Sequence, residues 1–245
     1  MIKLLKMIFL AVPYILINLP RIFYYRINRK RISKVKIYKY THKFLATLNK
    51  TLGIKLIVKG IENIPVTDSY LIVANHQNFL DPLLLIGAID EGPISFVSKK
   101  EIKKTPFVST FIEMIGGIYM DRGNLRKEIE TMRYVRNSLH YDNIAWCIFP
   151  EGTRTKNKNK ELNSFLPGTF KMAMTEKKII LPITIEGGYN VFNLLKPTIS
   201  KCYISIMTPI SYDDYKDYNT TTLAPLIENK IREEQVALHE LVNSK

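Results

Sequence analysis

The chain has 245 residues, and 46% of them are hydrophobic. That is enough apolar material to bury a large core, which excludes a globally disordered protein, and the length fits one α/β domain with an extension or two small domains. The formal net charge is +14, so the surface attracts polyanions: nucleic acid, an anionic membrane or phosphorylated substrates.

The amino-terminal segment is apolar and is flanked by basic residues. Residues 7–19, MIFLAVPYILINL, fall short of the roughly 20 apolar residues that a spanning helix needs, and Pro13 and Pro20 favour a kink. No small-residue cleavage site follows, which makes a signal peptide the weakest alternative. A spanning anchor and a helix packed in the core are two further alternatives. A kinked helix lying in one leaflet fits the length and the prolines best.

A second helix is predicted after the basic run RINRKRISKVK, which would rest on anionic headgroups. This helix either shares the membrane surface or packs on the domain. Its apolar residues recur at helical spacing: Ile37, Tyr40, Phe44, Leu48 and Leu52. We therefore expect residues 1–50 to form membrane-associating helices and residues 51–245 to form an α/β domain. The expected location is the cytoplasmic face of the cell membrane, held peripherally, monotopically or by a single amino-terminal anchor.

Strand-length apolar runs and helical segments alternate from about residue 53. The predicted strands are IKLIVKG, YLIVAN, ISFVSK, GGIYM, IAWCIF, IILPITIE and KCYISIM. This alternation predicts a largely parallel or mixed central sheet flanked by helices. One predicted helix follows the capping residue Asn124. Its apolar residues are expected to face inward: Leu125, Ile129, Met132 and Leu139.

The two cysteines, Cys147 and Cys202, both lie within apolar runs. Their setting predicts small core residues rather than a disulfide, a metal site or a nucleophile. No Cys/His spacing in the sequence indicates zinc. We therefore expect no metal and no cofactor.

Residues able to do chemistry follow the ends of four predicted strands. His76 follows LIVAN, Lys100 follows ISFVSK, Asp121 follows GGIYM and Glu151 follows IAWCIFP. In open parallel sheets, ligands bind beyond the carboxyl ends of the strands. We therefore expect these residues to contribute to one site.

His76 and Asp81 are the candidate catalytic pair. Asp81 precedes Pro82, which predicts a helix that begins there with Asp81 as its cap, so the two side chains can meet across a turn. One carboxylate oxygen would cap the helix and the other would accept the imidazole N–H, which leaves the far ring nitrogen as a general base. The alternative is a polar turn in which Asp81 only caps. No serine or cysteine stands out as a nucleophile, so such a base would activate a substrate hydroxyl or water.

The segment FPEGTRT is the candidate phosphate-binding loop. Gly152 permits a tight turn, Thr153 offers a hydroxyl, and Arg154 offers a guanidinium suited to phosphate, with Lys100 as a second cation. Glu151 is awkward beside a phosphate and is expected to orient Arg154 or to accept from a ligand hydroxyl. The alternative is an exposed basic loop.

Asp121 and Arg122 follow the strand GGIYM directly. They are either a structural ion pair or part of a cleft for the acceptor.

Four segments of the chain resemble, in the same order, the sequence blocks of the membrane-associated glycerolipid acyltransferases. They are NHQNFLD, GGIYMDR, FPEGTRT and LPITI, and the resemblance covers roughly residues 50–210. Four blocks in order are far more specific than any one of them. One departure is FLPGTF, which has Leu166 where the family usually has lysine.

The resemblance implies transfer of a fatty acyl group from acyl-acyl carrier protein or acyl-CoA to the sn-2 hydroxyl of 1-acyl-glycerol 3-phosphate. The product would be phosphatidic acid for phospholipid synthesis. His76 would be the base and Asp81 the residue that orients it. The phosphate would be held by Lys100, Glu151, Gly152, Thr153 and Arg154.

Two other functions are compatible with the sequence. One is acyl transfer to another acceptor, such as glycerol 3-phosphate or a different lysolipid. The other is a non-enzymatic basic module that binds membranes, which explains the charge but not the ordered blocks. No nucleic-acid-binding motif is present, so a lipid membrane and not nucleic acid is the expected polyanionic partner.

Overall fold

The computed structural model describes residues 5, 7–66, 69–121, 123–153, 162–191 and 200–243. Strands in these ranges are β1 (Ile54–Lys59), β2 (Leu71–Ala74), β3 (Ile94–Lys99), β4 (Ile118–Met120), β5 (Ala145–Ile148), β6 (Ile180–Glu186) and β7 (Ser200–Ile206). They form one sheet in the order β1-β7-β6-β2-β5-β3-β4. Only β6 and β7 pair antiparallel; the other neighbours are parallel. The predicted mixed sheet is confirmed.

The helices follow the order expected for an α/β fold. They are α1 (Val12–Ile27), α2 (Lys34–Thr51), α3 (Asp81–Ala88), α4 (Pro106–Met114), α5 (Leu125–Tyr141), α6 (Lys171–Glu176), α7 (Tyr212–Tyr215) and α8 (Thr220–Asn243). A π-helical turn, Met7–Ala11, precedes α1. Short 3₁₀ turns lie at Ile61–Asn63, Lys100–Lys104, Pro167–Phe170 and Gly188–Asn190.

The two faces of the sheet carry separate hydrophobic clusters, because side chains alternate along each strand. On β2, Ile72 and Ala74 pack with residues of α2, α3 and α4, whereas Leu71 and Val73 pack with residues of α5, α6 and α8. The central strands are therefore covered on both faces, as the continuous apolar runs predict. Helices α1–α4 lie on one face of the sheet, and α5, α6 and α8 lie on the other.

Helix α2 packs on the domain, one of the two arrangements expected for it. Ile37, Phe44 and Leu48 are buried in the core. His42 Nδ1 lies 2.8 Å from the backbone oxygen of Ile86 on α3. The apolar face of α2 is thus covered by the domain itself.

Helix α1 is only partly covered. The Tyr14 ring stacks on Phe44 at 5.1 Å between centroids, and Arg26 pairs with Glu113 of α4 at 2.9 Å. Many of its apolar side chains face outward, including Ile17, which is 78% exposed. The stretch Ile8–Ile27 is long and apolar enough to cross a membrane, and 17% of its apolar 18-residue window is buried.

One prediction for α5 is wrong at its amino-terminal end. Leu139 is fully buried as expected, but Leu125 is 73% exposed and Ile129 is 50% exposed. The carboxyl-terminal half of α5 packs over Trp146 of β5. The amino-terminal half lies beside β4, an edge strand of three residues, so the sheet gives it little to pack on.

Both cysteines are buried and unbonded, as predicted. Burial raises the pKa of the Cys147 thiol and of the Cys202 thiol. They are therefore unreactive core residues.

Two glycines with left-handed backbone, Gly53 and Gly60, flank β1. They provide a test of the packing at the carboxyl end of this strand. A Cβ on Gly60, which has φ +75°, would lie 2.0 Å from the backbone oxygen of Ile206. A Cβ on Gly53, with φ +69°, would meet no atom within 4 Å. We expect Gly53→Ala to lower the free energy of unfolding by about 1 kcal/mol through backbone strain alone, and Gly60→Ala by roughly 3 kcal/mol or more.

Urea unfolding of the two variants in the same detergent measures the difference. Equal losses in the two variants would contradict the close approach of Gly60 to β7.

Candidate active site

The turn between β2 and α3 brings His76 and Asp81 together. His76 Nδ1 lies 2.9 Å from Asp81 Oδ2. The same oxygen accepts from the backbone amides of Gln77 at 2.7 Å and Asn78 at 2.8 Å. Asp81 is fully buried, so these three donors offset the cost of removing its charge from water.

The prediction that one Asp81 oxygen caps the helix while the other accepts from the imidazole is wrong. One oxygen makes all the contacts, while Oδ1 has no hydrogen-bond partner among the described residues. Asp81 is also the first residue of the helix and not its cap, a position held by Leu80. The carboxylate thus bonds to the preceding turn and to the His76 imidazole, because the turn folds back over it.

The His76 ring is fixed on its face as well as its edge. Phe149 stacks on it with 4.2 Å between ring centroids and 20° between the planes. A carboxylate on Nδ1 selects the tautomer with the proton on that nitrogen. Nε2 then carries the lone pair, and it has no hydrogen-bond partner in the described ranges. The His76 side chain is 18% exposed, so this nitrogen sits at the edge of the protein interior.

Glu151 ties the histidine turn to the loop after β5. Its Oε1 accepts from the His76 backbone amide at 2.7 Å, and its Oε2 accepts from the amide and the side chain of Asn163, both at 3.0 Å. The carboxylate is 5% exposed. It was expected to serve Arg154 or a ligand hydroxyl, and the structure adds three protein donors to its surroundings.

The rest of the predicted phosphate loop is described only in part. Gly152 has φ +67°, the tight turn that the sequence predicts, and its amide donates to Phe149 O at 3.0 Å. Thr153 is exposed. Arg154 lies outside the described residues, and so does Arg122.

Lys100 and Asp121 form a separate ion pair. Lys100 Nζ lies 2.9 Å from Asp121 Oδ2, and Lys127 Nζ lies 3.4 Å from the same oxygen. The hydrogen bond from Lys100 lowers the pKa of Asp121, and the hydrogen bond to Asp121 raises the pKa of Lys100. Asp121 therefore pairs with two lysines, whereas the sequence suggested a pair with Arg122.

Sheet order gives the relative positions of these groups. Strands β2, β5, β3 and β4 are neighbours and run parallel, so their carboxyl ends share one edge. With about 4.8 Å between neighbouring strands, the ends of β2 and β4 are roughly 15 Å apart. His76, Asp81 and Glu151 form one contact group at this edge, and Lys100 and Asp121 form a second group farther along it.

Several residues that support the site were missed from the sequence. The Asn75 side chain donates to Ile185 O at 2.9 Å and accepts from Ile185 N at 2.7 Å, which fastens the turn to β6. Gln77 Nε2 donates to Glu186 at 2.7 Å, and Gln77 Oε1 accepts from Gly188 N at 2.9 Å. A carboxylate that ends an apolar strand, as in IILPITIE, was the available signal for Glu186.

Helix α8 completes the surroundings of Glu186. Gln235 Nε2 donates to its Oε2 at 3.1 Å, and His239 Nδ1 lies 3.1 Å from its Oε1. Glu186 is 5% exposed, so this buried carboxylate joins the last helix to the turn that carries His76.

The geometry defines an enzyme class. This imidazole is oriented by a carboxylate, and its second nitrogen has no partner among the residues that the structure describes, so it is suited to taking a proton from an external hydroxyl. Among the described residues, no group of three or more His, Cys, Asp and Glu side chains is arranged to hold a metal ion. The fold and the site are those of an α/β enzyme with a histidine–aspartate dyad.

The chain belongs to the acyltransferase family, whose model matches residues 55–186. It is therefore an enzyme of acyl transfer. A 1-acyl-sn-glycerol-3-phosphate acyltransferase of Borreliella burgdorferi is 30% identical over 185 residues, 73% of this chain and 71% of that protein. The protein of the same description from Haemophilus influenzae is 28% identical over 237 residues, 95% of this chain and 96% of the relative.

A solved structure has the same fold. The crystal structure of the 1-acyl-sn-glycerophosphate (LPA) acyltransferase PlsC from Thermotoga maritima superposes with a TM-score of 0.71 at 22% identity, over 97% of this chain and 98% of that one.

Proposed function

We propose that the protein transfers a fatty acyl group from an acyl thioester to the sn-2 hydroxyl of 1-acyl-glycerol 3-phosphate, giving phosphatidic acid. The observation that carries the proposal is the His76–Asp81 contact of 2.9 Å within the region matched by the acyltransferase family. The named activity of relatives that match the chain along most of its length supports the choice of acceptor.

The proposed chemistry uses Nε2, the ring nitrogen of His76 that does not face Asp81. Nε2 takes the proton of the acceptor hydroxyl as its oxygen attacks the thioester carbonyl carbon. The tetrahedral intermediate then collapses, the carbon–sulfur bond breaks, and the imidazolium returns the proton to the departing thiolate. Asp81, whose Oδ2 holds Nδ1, stabilises the imidazolium between these two steps.

The phosphate of the acceptor is assigned to the loop after β5 and its cations. Gly152, Thr153 and Arg154 follow Glu151, whose carboxylate bonds the His76 amide, so the loop starts next to the base. Lys100 is the second cation, and it would share its charge between the phosphate and Asp121. Asp121 and Arg122 remain candidates for the acceptor cleft.

Glu151 is assigned a positioning role in addition to its place in the loop. Its oxygens accept from His76 N and from Asn163, so its carboxylate sets the distance between the base and the phosphate loop.

The amino-terminal helix α1 is proposed to hold the enzyme on the cytoplasmic face of the membrane, where a lipid acceptor resides. Support comes from the apolar side chains that α1 turns outward, among them Leu16 at 57% and Ile17 at 78% exposure. The basic run after α1 suits anionic headgroups. Within residues 1–50 the proposed membrane-associating part is α1 with the basic run that follows it, because α2 packs on the domain. Residues 51–245 are the proposed catalytic domain.

The base assignment is tested by His76→Ala. Loss of a general base is expected to lower kcat by about 10²–10⁴-fold, with the protein still folded. Steady-state assays with acyl-CoA and lysophosphatidic acid measure the loss. His140→Ala, on the exposed face of α5, is the matched control with expected normal turnover. Near-normal activity of the His76 variant would refute the assignment.

A panel of acceptors in the same assay tests the identity of the acceptor. Preference for glycerol 3-phosphate or another lysolipid would replace 1-acyl-glycerol 3-phosphate as the proposed acceptor.

The role of Glu151 is tested by Glu151→Gln. The glutamine side chain has one acceptor oxygen, whereas His76 N and Asn163 N each donate to a different oxygen of Glu151. The substitution is therefore expected to shift the His76 turn and to leave the cations of the phosphate loop unchanged. We expect kcat to fall about 10- to 100-fold with little change in KM for the acceptor. Arg154→Ala should instead raise that KM. A Glu151 variant with raised KM and normal kcat would show that the carboxylate binds the acceptor directly.

The membrane assignment is tested by the double variant Leu16→Gln and Ile17→Gln. Both side chains are exposed, so the fold should tolerate the change, while binding to anionic vesicles should weaken roughly tenfold or more. Val236→Gln, at a residue of α8 that is 55% exposed, is the control. Vesicle co-sedimentation is the measurement, and unchanged binding by the double variant would mean that another surface holds the membrane.

A further inference from the structure

A groove of about 350 Å³ runs between α5 and α6. It lies on the α5–α6–α8 face of the sheet, whereas α1 packs with the cluster on the other face. A membrane held through α1 therefore does not account for it. Its lining includes Leu125, Ile129, Met132, Arg133, Arg136 and Lys171.

The floor of the groove is apolar and faces solvent. Leu125 and Ile129 lie four residues apart on α5, on one face of the helix, and are 73% and 50% exposed. Met132 continues this face. Exposed aliphatic side chains that are contiguous and rimmed by charges mark an interaction surface more often than isolated ones do.

The rim of the groove is basic. Three cationic side chains line it, Arg133, Arg136 and Lys171, with one carboxylate, Glu128. Arg136 pairs with Glu176 at 3.4 Å. Within the described part of the chain, Arg133 and Lys171 have no carboxylate at ion-pair distance. The groove thus presents an apolar strip and cations that are available to an acidic partner.

One end of the groove, at Leu125, lies near the edge of the sheet that carries His76. Helix α5 begins just after β4, and Lys127 in its first turn pairs with Asp121 at that edge. The end of β4 is roughly 15 Å from the end of β2, three strand spacings away. A partner seated on α5 would need a long flexible arm to deliver a thioester to His76.

We propose that the α5–α6 groove docks an acidic carrier protein that delivers the acyl group as a phosphopantetheine thioester. The proposal rests on the proposed acyl-transfer function and names the donor. An apolar ridge on the carrier packs on Leu125 and Ile129, while its carboxylates pair with Arg133 and Lys171. Charge complementarity of this kind raises the association rate and is screened by salt. The phosphopantetheine arm then reaches along the sheet edge to the base.

The test compares two donors that carry the same acyl chain. The full-length double variant Arg133→Glu and Lys171→Glu is assayed in one vesicle preparation with palmitoyl-acyl carrier protein and with palmitoyl-CoA. We expect kcat/KM for the carrier to fall about tenfold or more, through a raised KM and with a weaker salt dependence, and kcat/KM for palmitoyl-CoA to stay within about twofold. Ile129→Ser should weaken the carrier reaction in the same selective way.

Lys55→Glu is the matched control, because it reverses an exposed charge on β1 at the opposite end of the sheet and should affect neither donor. Binding of fluorescent palmitoyl-acyl carrier protein, followed by anisotropy, measures docking without turnover. Thermal unfolding verifies that each variant is folded.

Three other results would overturn the proposal, and a fourth would overturn only the proposed function. Equal losses with both donors would mean that the groove acts on a step common to them. Unchanged activity and anisotropy would mean that the carrier docks elsewhere or is not the donor, and weaker vesicle binding would assign the groove to lipid. Wild-type protein that binds the carrier but transfers no acyl group from either donor would refute the proposed function and leave the docking surface standing.

Discussion

One buried oxygen, Asp81 Oδ2, organises the catalytic turn. It accepts from the His76 imidazole and from the amides of Gln77 and Asn78, all between 2.7 and 2.9 Å. A fully buried carboxylate is costly without such donors, so the turn and the ring orientation are fixed by the same electrostatic requirement. The His76 imidazole is therefore not a side chain placed on a finished scaffold. Its orientation is part of what makes the turn stable.

The turn is braced from both neighbouring strands. On the β5 side, Glu151 binds the His76 amide and Phe149 covers the ring. On the β6 side, Asn75 bonds to Ile185 and Gln77 bonds to Glu186. Because β2 runs parallel to both neighbours, all of these groups emerge at the same edge. Parallel pairing thus turns contacts that are distant in sequence into one rigid site.

The sequence predicted what is local and left out what is distant. The His76–Asp81 contact was predictable because only four residues of turn separate the pair, and the apolar runs predicted the sheet because both its faces are covered. The partners of Glu151 were not predictable. One of them, the His76 amide, lies 75 residues away in sequence, and the contact depends on which strands are neighbours. The periodicity of α5 identified its apolar face but not how far the sheet extends beneath it, so Leu125 and Ile129 were wrongly expected to be buried.

The junction of α8 with Glu186 sets an order on biosynthesis. Gln235 and His239 can reach that carboxylate only after helix α8 has been synthesised, and β1 must likewise wait for β7. Helix α1, by contrast, is synthesised before all of these elements. The apolar side chains of α1 are therefore present on the nascent chain before α8 can complete the surroundings of the turn that carries His76.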